Sequence, residues 1–292
     1  MRKLVLLFMV LFSPAVSYAA LIGDDAVEYR VIKGDTLERI GAKLGVTWKK
    51  IAEENNLDSR KSLHVGQKLK VNNKKIIPKV ADNGIVINIP DRMLYLFKNG
   101  SLALAVPVGL GIPPSPDKMQ WRTPEGAFTV KNKQKNPTWY IPKSIQKEME
   151  KENEGVPVET VIPPGPDNPL GKHVIRTSIT GIEIHETIWP ASVYQFQSHG
   201  CIRMLPEHMS KLYNEVDSNT PGEIIYMPVK LAVLDTGKIY LEVHRDVYGK
   251  LKSLPDETWK IIEKAGVKGK VDWAKVEQVI KERSGIAEDI TF

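Results

Sequence analysis

The sequence predicts an α+β chain of several units, with a mainly-β domain between a small strand–helix–helix–strand unit and a C-terminal hairpin followed by helices. Residues 28–73 place two stretches of helical spacing between two alternating stretches. Residues 83–228 are rich in alternating apolar stretches punctuated by Gly and Pro. Residues 229–292 add one more alternating pair and two amphipathic helical stretches.

The first 19 residues have the layout of a cleavable secretory signal peptide. Arg2 and Lys3 precede nine apolar residues, Leu4 to Phe12, and small residues stand at the −3 and −1 positions before a cleavage site near Ala19. A membrane-spanning helix needs about 20 apolar residues, so this segment is too short to be one. We therefore expect an exported protein in the periplasm or on the cell-wall face.

Charge and composition narrow the class of protein further. The formal net charge is +6, and removal of Arg2 and Lys3 lowers it to +4, spread along the chain without a block of like charge. This pattern does not indicate nucleic-acid binding. A hydrophobic content of 42% is enough to build substantial cores.

The unit at residues 28–73 carries clear helix boundaries. Asp35 or Thr36 is placed to cap a first helix, Gly45 to end it, and Thr47 to cap a second helix. A first strand precedes these helices, and the closing strand is expected to alternate through Val65, Leu69 and Val71.

The motifs "VIKGDTLERIGA" (31–42) and "LHVGQKL" (63–69), with Asn55 between them, resemble a LysM module. This resemblance implies a βααβ unit that binds N-acetylglucosamine-containing glycans such as peptidoglycan. It also implies a groove formed by the loops after the first strand and after the second helix. The alternative interpretation is a capped helical hairpin that serves only as a spacer.

A short linker is expected at residues 74–82, followed by the mainly-β domain. Asn99-Gly100 between "MLYLF" and "LALAVPV" predicts a tight hairpin. The stretch "PKSIQKEMEKENEG" predicts a short helix that ends at Gly155. The stretch "HVIRTSITGIEIHE" predicts a hairpin whose second strand ends at His185.

Cys201 is the single cysteine of the chain, which is unusual in an exported protein because such proteins generally pair their cysteines. A buried inert thiol or an intermolecular disulfide would explain it, and so would a catalytic nucleophile. A nucleophilic thiol needs a base, and His199 and His185 are the two candidates. Gly200 frees the backbone for oxyanion contacts, and Arg203 offers a cation for a carboxylate.

The motif "SHGCIRM" (198–204), with twelve residues between His185 and its serine, resembles the catalytic motif of the L,D-transpeptidase (YkuD) family. The segment "RTPEGAFTV" (122–130) resembles a further family motif. The segments "NPTWYIP" (136–142) and "PPGPDNPLG" (163–171) resemble the ErfK/YbiS-type subgroup. The resemblance spans about residues 83–245 and implies a mainly-β catalytic domain over 83–228.

The resemblance implies a role for each residue of the motif. Cys201 would be the nucleophile, His185 the general base, and the carbonyl of Glu186 the group that orients His185. His199 and the backbone of Gly200 and Cys201 would line the oxyanion and substrate site. Arg203 would support the substrate or the loop, and Ser198 would organise the loop. The family uses neither a metal nor a cofactor.

The loop after His185 departs from the family pattern, which has Gly-Thr-Asn after the histidine and a glycine near position 194. Here Glu186, Thr187 and Ile188 follow His185, and Tyr194 replaces the glycine. A carboxylate beside the base would raise the pKa of His185 if it pointed inward. A bulkier loop would narrow the path of the acceptor.

The remaining candidates are weaker. Structural or solvated roles are expected for the other histidines, and either substrate stacking or core packing for three aromatic residues. A zinc site needs three or four converging ligands, and only His185, His199 and Cys201 are expected to converge. The residues concerned are His64, His173, His208, His244, Trp139, Tyr140 and Trp189.

The expected activity is a peptidoglycan L,D-transpeptidase that forms a cysteine thioester, releases D-Ala and transfers the acyl group to an amine, giving 3→3 cross-links. Its partners are glycan strands at the LysM unit and stem peptides at the catalytic site. A lysine of a wall-attached protein or a free D-amino acid are alternative acceptors. An L,D-carboxypeptidase or cross-link hydrolase, and a non-catalytic peptidoglycan-binding protein, are the alternative functions.

Overall fold

The computed structural model describes residues 20–58, 62–116, 121–154 and 158–292. Residues 1–19 lie outside these ranges, so the predicted signal peptide is not among the described residues, and neither is Gly155. None of the helices in these ranges is both long and apolar enough to cross a membrane.

An N-terminal unit contains the two capped helices. Thr36 caps the first helix by accepting from the Arg39 N–H (3.2 Å), and Gly45 ends it in the left-handed conformation (φ 69°). Thr47 caps the second helix, as predicted. The elements of the unit are β1 (Leu21–Ile22), β2 (Val27–Arg30), α1 (Leu37–Leu44), α2 (Trp48–Glu54), β3 (Lys68–Val71) and β4 (Lys75–Ile76).

Two expectations for this unit were wrong. Val65 precedes β3 and is 71% exposed, because the chain turns at Gly66 (φ 87°) before the strand begins. Residues 74–82 are not a simple linker, since Lys75–Ile76 pairs with β1 and both side chains are buried.

The central domain is mainly β. Its hairpin turn at Asn99-Gly100 has two left-handed residues (φ 50° and 74°), which matches the predicted tight turn. The elements of the central domain are β5 (Gly84–Asn88), β6 (Met93–Lys98), β7 (Ser101–Pro107), β8 (Leu110–Gly111), β9 (Gly126–Lys135), β10 (Trp139–Tyr140), α3 (Lys143–Glu152), β11 (Val161–Ile162), β12 (His173–Thr177), β13 (Glu183–Glu186), β14 (Phe196–Ser198), β15 (Ile202–Met204), α4 (Pro206–Glu215) and β16 (Pro221–Ile225).

An eight-stranded sheet with the order β15-β13-β12-β9-β16-β5-β6-β7 organises this domain. Two of its neighbouring pairs, β13–β15 and β16–β5, are parallel, and the other pairs are antiparallel. Strand β13 continues one residue past the predicted end at His185, to Glu186. Buried side chains of β5, β6, β12, β13 and β15 meet those of α4 in one apolar core, which fixes the strands that carry the catalytic motif.

The C-terminal unit consists of β17 (Val229–Val233), β18 (Ile239–Val243), α5 (Leu254–Lys264), α6 (Trp273–Glu282) and β19 (Glu288–Asp289). Its hairpin and helices share an apolar core that includes Ile262 and Val276. Trp259 lies outside this core, 45% exposed, and stacks on Trp273 with ring centroids 4.3 Å apart.

The three units pack against one another. Ala42 of the N-terminal unit shares a buried cluster with Val193 and Leu205 of the central domain. Ile286 of the C-terminal unit completes the core of the N-terminal unit. A buried polar network then joins all three units. Lys230 Nζ lies 2.7 Å from both Asp91 Oδ2 and the Ile76 carbonyl.

Candidate active site

His185 and Cys201 belong to neighbouring parallel segments. In the β13–β15 ladder, Ile184 lies opposite Ile202 and His185 opposite Arg203. Both isoleucines are fully buried in the main core, so the alternation of side chains places His185 and Arg203 on the other face. Cys201 directly precedes β15 and stands two residues before Arg203, so the thiol lies on the segment paired with the strand of His185.

The imidazole of His185 is held in one tautomer. Its Nδ1 lies 2.6 Å from the Glu186 carbonyl oxygen, which can only accept a hydrogen bond. Nδ1 therefore carries the proton, and Nε2 is left as the basic nitrogen. Burial lowers the pKa of His185 to about 4, and the carbonyls of Glu186 and Pro169 oppose that shift. The ring is neutral near pH 7 and can accept a proton.

The thiol of Cys201 is half-buried and protonated. It donates to the Gly181 carbonyl at 3.5 Å rather than to His185. Burial raises the pKa of the thiol to about 11, while the Glu183 backbone N–H and the charge of Arg203 act in the opposite direction. The thiol and the imidazole are therefore both neutral at rest, and a nucleophilic role for Cys201 would require proton transfer to accompany its attack.

The backbone at Gly200 requires glycine. Its φ is +109°, and an added Cβ would lie 3.1 Å from Ile182 Cδ1 and 3.3 Å from the Arg122 carbonyl oxygen. The Ser198 hydroxyl donates to the Cys201 carbonyl (2.6 Å) and accepts from the Gly200 N–H (3.2 Å). One of the two backbone N–H groups expected at the oxyanion site is thus already engaged in shaping the loop.

Two side chains that were not identified from the sequence support this loop. The Thr123 hydroxyl donates to the Gly200 carbonyl at 2.9 Å and accepts from the Gly111 N–H at 2.9 Å. Tyr248, from the chain after β18, donates to the Gly111 carbonyl (2.9 Å) and accepts from the Thr123 N–H (3.1 Å). Thr123 stands in the "RTPEGAFTV" motif, which was available as an indication, but no motif marks Tyr248.

His199 and His185 bind different partners, and His199 contacts a carboxylate. Its Nε2 lies 2.7 Å from the Glu148 carboxylate of α3, and its ring meets Trp121 edge-on with centroids 4.2 Å apart. Helix α3 has no fully buried side chain. This pair therefore links an otherwise loosely packed helix to residues 198–201, the predicted catalytic loop. Nothing in the sequence pairs Glu148 with His199 across 51 residues.

Glu186 and Tyr194, the two residues that depart from the family pattern in the loop after His185, do not act as expected. The Glu186 carboxylate is buried and lies 3.1 Å from His173 Nδ1, so the expected increase in the pKa of His185 is not found, and burial lowers it instead. Tyr194 has φ +61°, which explains the glycine of the family at this position, and its side chain is only 1% exposed. Its hydroxyl accepts from Lys75 (3.1 Å), so the ring packs inside the protein rather than on the surface of the loop.

Arg203 and the aromatic residues that were predicted to stack on substrate or pack in the core differ in their exposure to solvent. The Arg203 guanidinium lies 5.7 Å from the centroid of the Trp189 ring, which is 50% exposed beside it. Tyr140 is 72% exposed, so core packing does not explain either aromatic side chain. In the N-terminal unit, a cavity of about 270 Å³ is bordered by the start of α1, the end of α2 and the residues around His64 and Gln67.

One cluster of potential metal ligands lies away from the thiol, where the sequence did not suggest one. Asp91, Glu242 and His244 place ligand atoms within 4.8 Å of one another. The ammonium of Lys230 lies 2.7 Å from Asp91 and 2.8 Å from Glu242, which provides the cation for both carboxylates. The cluster is therefore a buried ion-pair network among the described residues.

Comparison with known families agrees with the arrangement of the motif. Residues 82–225 match the YkuD model, described as an L,D-transpeptidase catalytic domain, and residues 29–72 match the LysM domain model. The chain therefore contains a YkuD-type L,D-transpeptidase catalytic domain and a LysM domain.

Several curated relatives share most of the chain. It is 29% identical to ErfK/SrfK of Salmonella typhimurium, described as a probable L,D-transpeptidase, over 96% of this chain and 93% of that protein. It is also 29% identical to the probable L,D-transpeptidase YcfS of Escherichia coli, over 80% of this chain and 72% of that protein. The probable L,D-transpeptidase YbiS of Escherichia coli is 28% identical over 76% of this chain and 72% of that protein.

Proposed function

We propose that this L,D-transpeptidase joins two peptidoglycan stem peptides through a thioester on Cys201. The observation that carries the proposal is the placement of His185, with its unprotonated Nε2, on the strand paired with the Cys201 segment. The donor is the amide bond between the third residue of a tetrapeptide stem and its terminal D-Ala. The acceptor is the side-chain amine of a second stem, which gives a 3→3 cross-link.

In the acylation step, one proton moves first from the Cys201 thiol to His185 and then from His185 to the leaving group. The Cys201 sulfur bonds to the donor carbonyl carbon as His185 Nε2 takes the thiol proton. The resulting imidazolium then gives this proton to the leaving nitrogen of D-Ala as the carbon–nitrogen bond breaks. The raised pKa of the thiol and the lowered pKa of His185 support this concerted transfer over a preformed thiolate.

The deacylation step reverses these roles. The acceptor amine attacks the thioester carbonyl, loses a proton to His185, and the carbon–sulfur bond breaks to return the thiol. Backbone N–H groups at Cys201 and its loop would hold the oxyanion in both steps. Arg203, on the same face and beside the exposed Trp189, would bind a substrate carboxylate.

The whole chain then works as a three-part exported enzyme. Residues 28–73 form the LysM module, residues 83–228 the catalytic domain, and residues 229–292 the C-terminal hairpin and helices. The cavity beside Asn56, His64 and Gln67 is the proposed glycan groove of the LysM module. A signal peptide over residues 1–19 would direct the chain to the periplasm or the cell-wall face, where peptidoglycan lies.

The test is an intact-mass measurement on the mature protein with a disaccharide-tetrapeptide. A mass increase equal to the donor minus D-Ala, absent in Cys201→Ala, would support the thioester. Soluble products then identify what resolves it, because an amine gives a dimer and water gives a tripeptide. Absence of both the adduct and D-Ala release would contradict the proposal, and persistent sacculus binding in that case would favour a wall-binding protein.

A further inference from the structure

A second cavity, of about 630 Å³, lies where the three units meet. We call it the junction cavity. Its walls are the N-terminal half of α2 around Trp48, strand β14 at Phe196, and the segments that follow β18 and α6. No step of the proposed reaction uses it, although β14 leads directly into the catalytic loop.

The lining of the junction cavity is predominantly cationic. Its charged residues are Lys49, Lys50, Arg92, Arg245, Arg283, Glu53 and Glu282. Five cations therefore face two carboxylates. Lys50 also pairs with Glu54 (3.8 Å), and Glu282 accepts from the Gln278 side chain (2.8 Å), so the remaining charge is still positive. Unbalanced positive charge in a concave site between domains favours an anionic ligand.

The guanidinium groups have free donors. Arg245 and Arg283 are exposed at the rim, and neither guanidinium group forms a hydrogen bond or an ion pair with any residue in the described ranges. Arg283 adopts the left-handed conformation at the end of α6 (φ 49°), which projects this side chain from a fixed turn. Two unpaired guanidinium groups can bind carboxylate oxygens in the bidentate geometry that this group prefers.

Arg92 adds a rigid donor to the cavity wall. Its Nη1 donates to the Tyr194 carbonyl (3.0 Å), and its guanidinium lies 4.0 Å from the Tyr194 ring centroid and 5.2 Å from that of Phe196. Its Nε–H is buried and has no acceptor among the described residues. A buried donor without an acceptor is energetically costly, and the remaining guanidinium N–H groups of Arg92 add to the positive charge of the cavity wall.

We propose that the junction cavity is a second peptidoglycan-binding site that recognises carboxylates of the stem peptides. This inference rests on the proposed function, because peptidoglycan supplies the carboxylates. The cavity borders both the helix α2 of the LysM domain and the strand β14 before the nucleophile. It therefore binds a stem peptide of the same glycan chain that the LysM domain binds. This stem lies next to the catalytic loop but outside the donor site.

The test measures co-sedimentation of the full mature chain with purified sacculi at fixed ionic strength, in a Cys201→Ala background that prevents reaction. The variant Arg245→Gln/Arg283→Gln removes both unpaired guanidinium groups. Its dissociation constant on intact sacculi is expected to rise about tenfold. The control Lys252→Gln/Lys264→Gln removes the same charge from exposed positions of the same unit, outside the cavity, and is expected to stay within about twofold.

The ligand is identified by changing the sacculi. On glycan chains freed of stem peptides by an amidase, the arginine variant and its parent are expected to bind equally. A deficit that persists on the bare glycan would overturn the proposal, as would one that disappears once phosphate-containing polymers are stripped from sacculi that retain their stems. A deficit as large in the lysine control would also overturn it.

A separate readout distinguishes this inference from the proposed function. With Cys201 restored, Arg245→Gln/Arg283→Gln is expected to form the thioester with saturating soluble disaccharide-tetrapeptide at the parental rate. Loss of the adduct in the parent protein itself would contradict the reaction. An intact adduct with unchanged sacculus binding in the arginine variant would overturn only the junction cavity.

Discussion

Tyr248, a residue of the C-terminal unit, bonds the two segments that hold the catalytic loop of the central domain. Its hydroxyl donates to the Gly111 carbonyl and accepts from the Thr123 N–H, and the Thr123 hydroxyl in turn donates to the Gly200 carbonyl. The ring of Tyr248 is buried in the main apolar core. The C-terminal unit is thus part of the support of the loop that carries Cys201.

Removal of this hydroxyl is expected to slow acylation. Tyr248→Phe keeps the buried ring but leaves the Gly111 carbonyl and the Thr123 N–H without a partner, at a cost of about 1–3 kcal/mol. We expect the single-turnover acylation rate, followed by intact mass, to fall roughly fivefold or more. Tyr240→Phe, in the sheet of the same unit, serves as control. Equal rates for Tyr248→Phe and the parent would show that the loop holds its geometry without the hydroxyl.

Alkylation of Cys201 by iodoacetamide is expected to depend steeply on pH. Only the thiolate reacts, and the pKa of the thiol is raised to about 11. The rate should therefore rise about tenfold per pH unit from pH 6 to pH 9, whereas an ordinary cysteine levels off near its pKa of about 8.5. A rate that is flat between pH 5 and pH 8 would indicate a thiolate–imidazolium pair and would contradict the neutral resting state.

The free energy of unfolding is expected to fall as the pH drops from 7 to 5. His185 and His244 are buried and neutral, and burial lowers the pKa of each from 6.5 to about 4. A folded pKa below the unfolded value gives stabilisation that is complete above pH 6.5 and is lost as the pH falls towards 4. Each histidine contributes a loss of about 2 kcal/mol between pH 7 and pH 5.

Urea unfolding of His244→Gln at the two pH values checks this expectation. The variant should lose about 2 kcal/mol less than the parent between pH 7 and pH 5, whatever its absolute stability. Glu242 keeps the charges of Lys230 and Lys75 beside it in the variant, and both hold the pKa of its carboxyl low. An unchanged dependence on pH would exclude His244 as a buried neutral group.

Loss of the Lys230 ammonium is expected to be among the more destabilising single substitutions. Lys230→Met leaves the buried carboxylates of Asp91 and Glu242 without their cation, which costs about 3–5 kcal/mol. Lys238→Met, on the same hairpin, removes a solvent-exposed pair with Asp289 and should leave the urea midpoint close to that of the parent. Similar urea midpoints for the two variants would contradict a structural role for the network.

Helix α3 is expected to loosen when its link to the catalytic loop is removed. Glu148→Ala deletes the carboxylate that lies 2.7 Å from His199, and hydrogen exchange of the amides of residues 143–152 should accelerate about three- to tenfold. Glu150→Ala, an exposed position on the same helix, is the matched control. Identical exchange in the two variants would mean that other contacts hold the helix.

The features that follow from local chemistry were predictable from the sequence. Thr36 caps α1, Gly45 ends it, and Asn99-Gly100 forms the hairpin turn, because each depends on the preferences of one or two residues. Val65 was misplaced because its alternation with Leu69 ignores the turn between them. Alternation alone does not register the left-handed residue that interrupts a strand.

The long-range features could not be predicted in this way. Lys230 and Asp91 are 139 residues apart, and Glu148 and His199 are 51 residues apart, so no periodicity or motif connects them. The resemblance of the motif gave the neighbours of Cys201, but the protonation of the thiol depends on its burial, which only the packed structure provides. The contribution of Tyr248 likewise depends on how the third unit docks.

The contacts of Lys75 with the other two units limit how far the LysM domain and the catalytic domain can move relative to each other. Lys75 donates to the Gly285 carbonyl (2.8 Å) and to Tyr194 (3.1 Å), so the segment between the LysM domain and the catalytic domain is fastened at both sides. A flexible tether would let the nucleophile search a sphere of stems around one anchored glycan. In the proposed function, this fastened segment instead sets one distance and one angle between the glycan bound by the LysM domain and the stem-peptide bond that Cys201 attacks.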